Sequence, residues 1–313
     1  MAATTVLSAP ASASAGGALQ PRKKRRRLVD HLTGHAFIIG AAICFGFFSW
    51  WPMVHEFIMS FQQKRLGVTH WVGWDNYIRI WNDPDFAQAW RNTLYFTVLA
   101  LVIGYALPFF IAVLLNEFRH AQGYLRVLVY LPVMLPPAAA LFLFKFAYYP
   151  NQSGIFNYVL HTLHLPTSQF VQSTAATMPS LVIASTWMNM GGTILIYLAS
   201  LQDIPGELYE AAELDGAGIF KRIWHVTIPQ TRLILSLMFL LQVIGTMQVF
   251  VEPLILAGGG GVDGSATSIV YLMYQHLFNF NGDLGGGAAL GVMLMLVLIV
   301  FASLYTWLTP QQD

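Results

Sequence analysis

An all-α, membrane-embedded fold with about six spanning helices is what this sequence predicts, and three observations predict it. Of its 313 residues, 56% are hydrophobic and only 10% are charged, against roughly 25% charged in a soluble domain. Apolar segments of about 20 residues, the length that crosses a bilayer core, recur along the chain. The Lys and Arg residues gather at alternate connections between those segments. A chain so poor in charge cannot clothe its surface in polar groups, so lipid is its solvent.

The chain starts with a tail. Residues 1–20 are rich in Ala, Ser and Gly, a composition that predicts disorder. Six of the sixteen Lys and Arg then fall in the run Arg22–Arg27. Such a run can mark a nucleic-acid patch or a targeting signal. Directly before an uncharged apolar segment it sets membrane orientation instead, and no nucleic-acid partner is expected. The predicted organisation is a cytoplasmic tail over 1–32 and a transmembrane domain over 33–313.

The first span is Ala36–Val54. At 19 residues it exceeds the 7–15 of a signal-peptide core. Trp50-Trp51-Pro52 stands where a cleavage site needs small residues, so the segment is read as retained. Cys44, the only cysteine, lies inside it and leaves no internal disulfide or Cys-based metal site. The later spans are Thr93–Leu115, Val127–Phe144, Leu181–Leu201, Leu233–Ala257 and Ala288–Leu308. Backbone groups in lipid must bond internally, so each is expected to be helical. Pro132, Pro136 and Pro137 predict a kink in the third span.

Charge sets the orientation. With the N-terminus inside, Arg22–Arg27, Arg119, Arg126, Lys221, Arg222 and Arg232 lie on the cytoplasmic side; Lys64, Arg65, Arg79 and Arg91 lie outside. Lys145, near the outer end of the third span, can snorkel. The excess predicts a multi-pass protein of a bacterial-type plasma membrane with both termini in the cytoplasm.

The longest cytoplasmic connection is 202–232. Pro205 suits the first turn of a helix, and Glu207 and Glu210 suit its positive end. Leu208, Ala211, Ala212 and Asp215 share one helical face, and the small alanines let another surface approach. Gly216 can close the helix with a left-handed residue. A second short helix over about Ile219–His225 is expected to follow, with Pro229 stopping or bending the chain before the next span. The predicted product is a helix–turn–helix that projects inward and suits docking.

These residues carry a family resemblance. Glu210-Ala211-Ala212, Gly216 after three residues, and Val226-Thr227-Ile228-Pro229 after nine more resemble the E-A-A, G, I-x-L-P coupling loop of permease subunits of binding-protein-dependent ABC importers. Val226 and Ile228 depart conservatively from that pattern. Val72-Gly73-Trp74-Asp75-Asn76-Tyr77, Phe86 and Asn92-Thr93 are similar to the first outer loop of the carbohydrate-importer group, which includes permeases for maltose, lactose and glycerol-phosphate. Met247-Gln248-Val249-Phe250, Glu252, Gly258–Gly261 and Thr267 are similar to the same group. The resemblance covers nearly all of the chain from about residue 35. It implies the type I permease fold, and a role for Glu210, Ala211, Ala212, Asp215, Gly216 and Pro229 in coupling to an ATPase. It also implies four kinds of partner: a second homologous permease, two ABC ATPase subunits, an extracytoplasmic solute-binding protein and membrane lipid.

The chain carries no G-x-x-x-x-G-K-[ST] motif, and Gly258–Gly261 runs into Val262-Asp263, so no phosphate cradle is expected here. The chain is read as no enzyme. ATP and Mg are expected on the partner ATPase subunits, and this chain is expected to bind no cofactor.

Polar groups inside spans are costly and often functional. Trp187, Asn189 and Tyr197 in the fourth span, and Gln242, Gln248 and Glu252 in the fifth, suit a sugar path: amides bond hydroxyls, and aromatic rings pack on apolar sugar faces. Interhelical hydrogen bonding, about 0.6 kcal/mol on average in membranes, is the competing role for each. Glu252, next to Pro253, could instead reach interfacial water. The pairs His31/His35 and His161/His164 lack the carboxylate of a metalloprotease H-E-x-x-H, and no metal site is expected. The sequence-level reading is a permease for a sugar or related polyol. The rivals are a permease for another solute, a secondary transporter or channel, for which the spans hold almost no ionisable relay, and a membrane enzyme.

Overall fold

The computed structural model describes His35 and residues 38–65, 68–118, 121–279 and 282–309. The tail over 1–32 with its basic run, the start of the first span at Ala36, Arg119 and the His31 member of the first His pair lie outside the described residues. The chain divides into two units, residues 1–54 and 55–313. In the first, the described residues are helical from Ile38 and include a π-helical turn at Gly46–Trp50, with the rings of Phe45 and Trp50 edge-to-face at 6.1 Å. This is the start of helix α1, Ile38–Met59, a 22-residue apolar run.

After α1 the second unit opens with a hairpin that the helical prediction did not contain. Strands β1 (Gln62–Arg65) and β2 (Val68–Trp71) pair antiparallel, Gln62 opposite Trp71 and Arg65 opposite Val68. Helix α2 is Asp75–Trp81. Helix α3, Pro84–Glu117, runs 34 residues and starts nine residues before the predicted Thr93. Its start has a local cause: the Asp83 side chain accepts from the Asp85 N–H at 2.8 Å, and Pro84 fills the first turn.

The third predicted span is sharply divided. Helices α4 (Gln122–Met134) and α5 (Pro137–Ala147) meet at 95°. Each proline pushes the residue before it out of the helical region; Leu135 before Pro136 has ψ 139° and Pro136 before Pro137 has ψ 131°. Two consecutive extended residues make a corner where one would make a kink. Helix α6 is Ile155–Thr162.

Helix α7, Thr174–Gln202, is the spine of this unit. At one end Met178, Leu181, Val182 and Met188 pack with Phe96, Leu141 and Phe144; at the other Ile194, Tyr197, Leu198 and Leu201 pack with Phe109, Ala112 and Leu115. Between them a Cβ on Gly191 would overlap the Val129 carbonyl of α4, so α7 and α4 cross backbone to backbone, the use small residues have in membrane bundles.

Helix α8 is Gly206–Leu214, and Pro205 is its N-cap, one place before the first turn expected for it. Helix α9 (Ile219–Arg222) passes through a π-helical turn (Ile223–Thr227) straight into α10 (Ile228–Thr246). Pro229 therefore does not stop the chain. It sits in the first turn of α10, and the preceding turn is already widened, with Ile228 N–H bonded to the Ile223 carbonyl; the missing proline donor interrupts no regular ladder. Helices α11 (Val251–Ile255), α12 (Ile269–Phe278) and α13 (Leu284–Leu308) complete the unit. Among the described residues five helical runs are long and apolar enough to span a membrane, and six spans result if the bent α4–α5 pair counts as one. The fold class is all-α, as the sequence predicts.

Candidate functional sites

The first site is the turn between α8 and α9. Gly216 has φ +74°, its N–H donates to the Glu213 carbonyl at 2.9 Å, and the Ala217 N–H donates to the Ala212 carbonyl at 2.9 Å. This paired closure is the Schellman motif, which needs a left-handed residue at that position. Glu213 pairs with Arg222 across the turn, and the Tyr209 hydroxyl lies 3.1 Å from the Thr227 hydroxyl. Two short helices are thereby fixed against each other and against the start of α10.

Outward, Glu207, Glu210, Ala211, Asp215 and Pro229 are exposed and Ala212 is half-buried. Leu214 and Phe220, which the face analysis did not select, are the most exposed apolar side chains here, at 91% and 83%. They interrupt the polar pattern of the loop, and that was the available signal.

The second site is a cavity of about 320 Å³ between α3, α7 and α10–α11. It collects four of the six predicted path residues, Asn189, Gln242, Gln248 and Glu252, and adds Phe96, Ser185, Thr193 and Phe250. Glu252 is only 8% exposed, and the Ser185 hydroxyl donates to its Oε1 at 2.6 Å. The helix break after Thr246 separates α10 from α11, and Glu252, in α11, lines the cavity. Gln242 donates to the Ala100 carbonyl at 3.3 Å, beside the π-helical turn Leu101–Tyr105 of α3. Asn189 and Gln248 each donate to a carbonyl of their own helix, Ser185 and Ile244, at 2.9 Å.

Trp187 and Tyr197 do not line this cavity. Trp187 packs edge-on against Phe144 at 5.4 Å, and Tyr197 is fully buried against Phe109 at 5.5 Å. Ser185 was missed because a lone serine in a span has no periodicity to betray it.

Above the cavity, the glycine-rich loop is tied down by the first polar turns of α3. Gln88 donates to the Asp263 carbonyl at 2.7 Å. Asn92 donates to the carbonyls of Gly264 and Thr267 at 2.8 and 3.0 Å, and Thr93 Oγ accepts from the Ile269 N–H at 3.0 Å. Residues that stand 172 or more positions apart in sequence thus form one assembly.

At the neighbouring edge, Asp283 caps α13, binds Arg79 through both oxygens at 2.5 and 2.9 Å, and accepts from His276 at 3.0 Å. Burial pushes its carboxyl pKa up. The His276 and Arg79 hydrogen bonds, the Gly286 N–H and the Arg79 charge outweigh that and hold it well below the usual carboxylate range. No group of three or more His, Cys, Asp or Glu among the described residues is placed to hold a metal ion.

A bundle of bilayer-length helices, with a polar cavity between them and a rigid exposed helix pair at one end, defines a membrane transport subunit. Residues 104–313 match the family described as binding-protein-dependent transport system inner membrane component. The arabinooligosaccharides transport system permease protein of Halalkalibacterium halodurans is 32% identical over 265 residues, 83% of this chain and 82% of that protein. The trehalose/maltose transport system permease protein of Thermococcus litoralis is 29% identical, over 82% and 84% of the two chains. The sn-glycerol-3-phosphate transport system permease protein of Yersinia pestis is 32% identical, over 74% and 77%. A chain in the crystal structure of a bacterial alginate ABC transporter, in complex with an alginate pentasaccharide-bound periplasmic protein, shares the fold at a TM-score of 0.79 and 21% identity. It is matched over 91% of this chain and 96% of its own. The chain belongs to the inner membrane components of binding-protein-dependent transport systems, the permease subunits of ABC importers. It is a multi-pass membrane protein and not itself a catalyst.

Proposed function

We propose that this permease carries a sugar or related polyol, paired with a second homologous permease that completes the path. A solute-binding protein delivers cargo to the outer loops. Two ATPase subunits, holding ATP and Mg, dock beneath. Binding of ATP favours one of two arrangements through differential affinity, and the turn at Gly216 transmits the change. Both termini face the cytoplasm, which requires the bent α4–α5 pair to be one span; the excess of Lys and Arg on that side supports this.

The observation that carries the coupling role is the Gly216 closure, which holds an exposed surface of Glu210, Ala211, Leu214 and Phe220 in one shape. The cavity supports the cargo class: amides and hydroxyls from Asn189, Gln242, Gln248 and Thr193 stand beside the rings of Phe96 and Phe250. Sugar permeases among the relatives lend weight to the same reading.

The test is co-purification with the ATPase and ATP-driven sugar uptake in proteoliposomes. Gly216→Val places a β-branched residue where φ is +74°, and both signals are expected to collapse. Gly218→Ala, at φ −68° with nothing within 4 Å, is expected to retain both. Unchanged uptake and association in Gly216→Val would remove the coupling role.

A further inference from the structure

We infer that this cavity is a charge filter, that Glu252 is its selecting residue, and that the cargo is neutral or amine-bearing rather than acidic. The inference rests on the transport reading above and narrows it. Among the described residues, Glu252 is the only ionisable side chain lining the cavity; no described Lys, Arg or His joins it. A carboxylate inside a membrane-spanning bundle is costly and is retained where it meets a partner or a pathway.

The partner within the chain is incomplete. Ser185 satisfies Oε1, while Oε2 accepts no hydrogen bond from the described residues. The helix break places the group on the cavity wall: α10 ends at Thr246, and Phe250, at φ −143°, turns the chain into α11. The acid is thus positioned by the backbone, and its second oxygen is left to a ligand.

The rest of the lining sorts ligands by chemistry. Asn189, Gln242, Gln248, Thr193 and Thr246 both donate and accept, which suits hydroxyls. A sugar hydroxyl or an ammonium can donate to Oε2; a carboxylate or phosphate cannot, and it meets a like charge. Charges a few ångströms apart at an effective dielectric near 20 discriminate by roughly tenfold or more. The relatives include transport systems named for neutral sugars and for a phosphate ester, so family membership leaves this choice open. The size of the cavity, at the small end of the usual range of about 300–1,000 Å³, suits one or two sugar rings at a time.

The complete importer, with its second permease, ATPases and binding protein, is reconstituted in proteoliposomes with ATP inside. Uptake is measured for short oligosaccharides in three length-matched sets (neutral, amino and uronic) and for glycerol phosphate. The expected result is ATP-dependent uptake within the neutral or amino set, with acidic members at least tenfold slower. Glu252→Gln, which keeps the shape and the Ser185 hydrogen bond, is expected to narrow that ratio about tenfold. Preferred uptake of uronic or phosphorylated members overturns the charge filter and leaves the transport reading standing. An unchanged ratio in Glu252→Gln overturns the role of Glu252. No ATP-dependent uptake of any member overturns the sugar-transport reading, and this inference with it.

Discussion

Gly216 is the residue on which most of the functional reading turns. Its left-handed φ costs an L-residue roughly 1–2 kcal/mol, more with a β-branched side chain. That is enough to unlatch a helix only nine residues long without unfolding a bundle, so Gly216→Val is expected to lower the thermal midpoint of the detergent-solubilised chain by no more than a few degrees while abolishing ATPase recruitment. Gly191 behaves in the opposite way. A Cβ there meets the Val129 carbonyl, and Gly191→Leu overfills the crossing at a cost of about 1–3 kcal/mol; the expected result is a lower thermal midpoint with the α8–α9 surface intact. The two glycines were not equally legible. Gly216 follows a three-turn amphipathic run and announces a helix end. Gly191 is one small residue among many in a span, and only the crossing of α4 and α7 gives it a job.

At the scale of elements, the polar start of α3 and the cap of α13 carry the connections around the glycine-rich loop and α12. Hydropathy placed the second span from Thr93 because Asp83, Gln88 and Asn92 dilute the apolar signal. Asp83 caps the helix while Gln88 and Asn92 hold the glycine-rich loop, so the helix extends for a tertiary reason that no window average contains. The π-helical turn before Pro229 is a similar case: proline predicts a boundary, and a widened turn removes the conflict.

The Arg79–His276–Asp283 cluster joins α2, α12 and α13, and His276 Nε2 also lies 3.4 Å from Asp83 at the start of α3. Because the folded state holds the Asp283 carboxyl below its ordinary range, its contribution to stability is complete above about pH 4–5, where an unfolded aspartate is ionised, and is lost as pH falls further toward the lowered value. Asp283→Asn is therefore expected to lower the thermal midpoint at pH 7, and the gap between variant and parent to shrink at pH 3.5. A gap that stays constant across that range would remove the ion pair from the explanation.

For the whole molecule, composition alone revealed the solvent, and apolar length alone revealed nearly every span. The corner between α4 and α5 was visible only as a proline cluster, because sequence gives the cause of a bend but not its angle of 95°. The cavity was legible in part. Spans four and five were the right places to look for polar residues, and four of the six candidates meet there. Trp187 and Tyr197 lie outside its lining and pack on Phe144 and Phe109, since an aromatic ring in a span fits a core as readily as a ligand. The short antiparallel hairpin left no signal that a search for apolar helices could register.

The most direct test of the central claim, that the α8–α9 surface is where an ATPase engages this permease, is site-specific cross-linking. Cys44 is the only native cysteine, so Cys44→Ser gives a clean background for Leu214→Cys, at the most exposed position of the turn, and for a control at Thr162→Cys, on α6. The account predicts a maleimide-type cross-link from position 214 to the ATPase subunit in the assembled importer, at a yield that changes when ATP is added, and none from position 162. Cross-linking from 162 but not from 214 would contradict it.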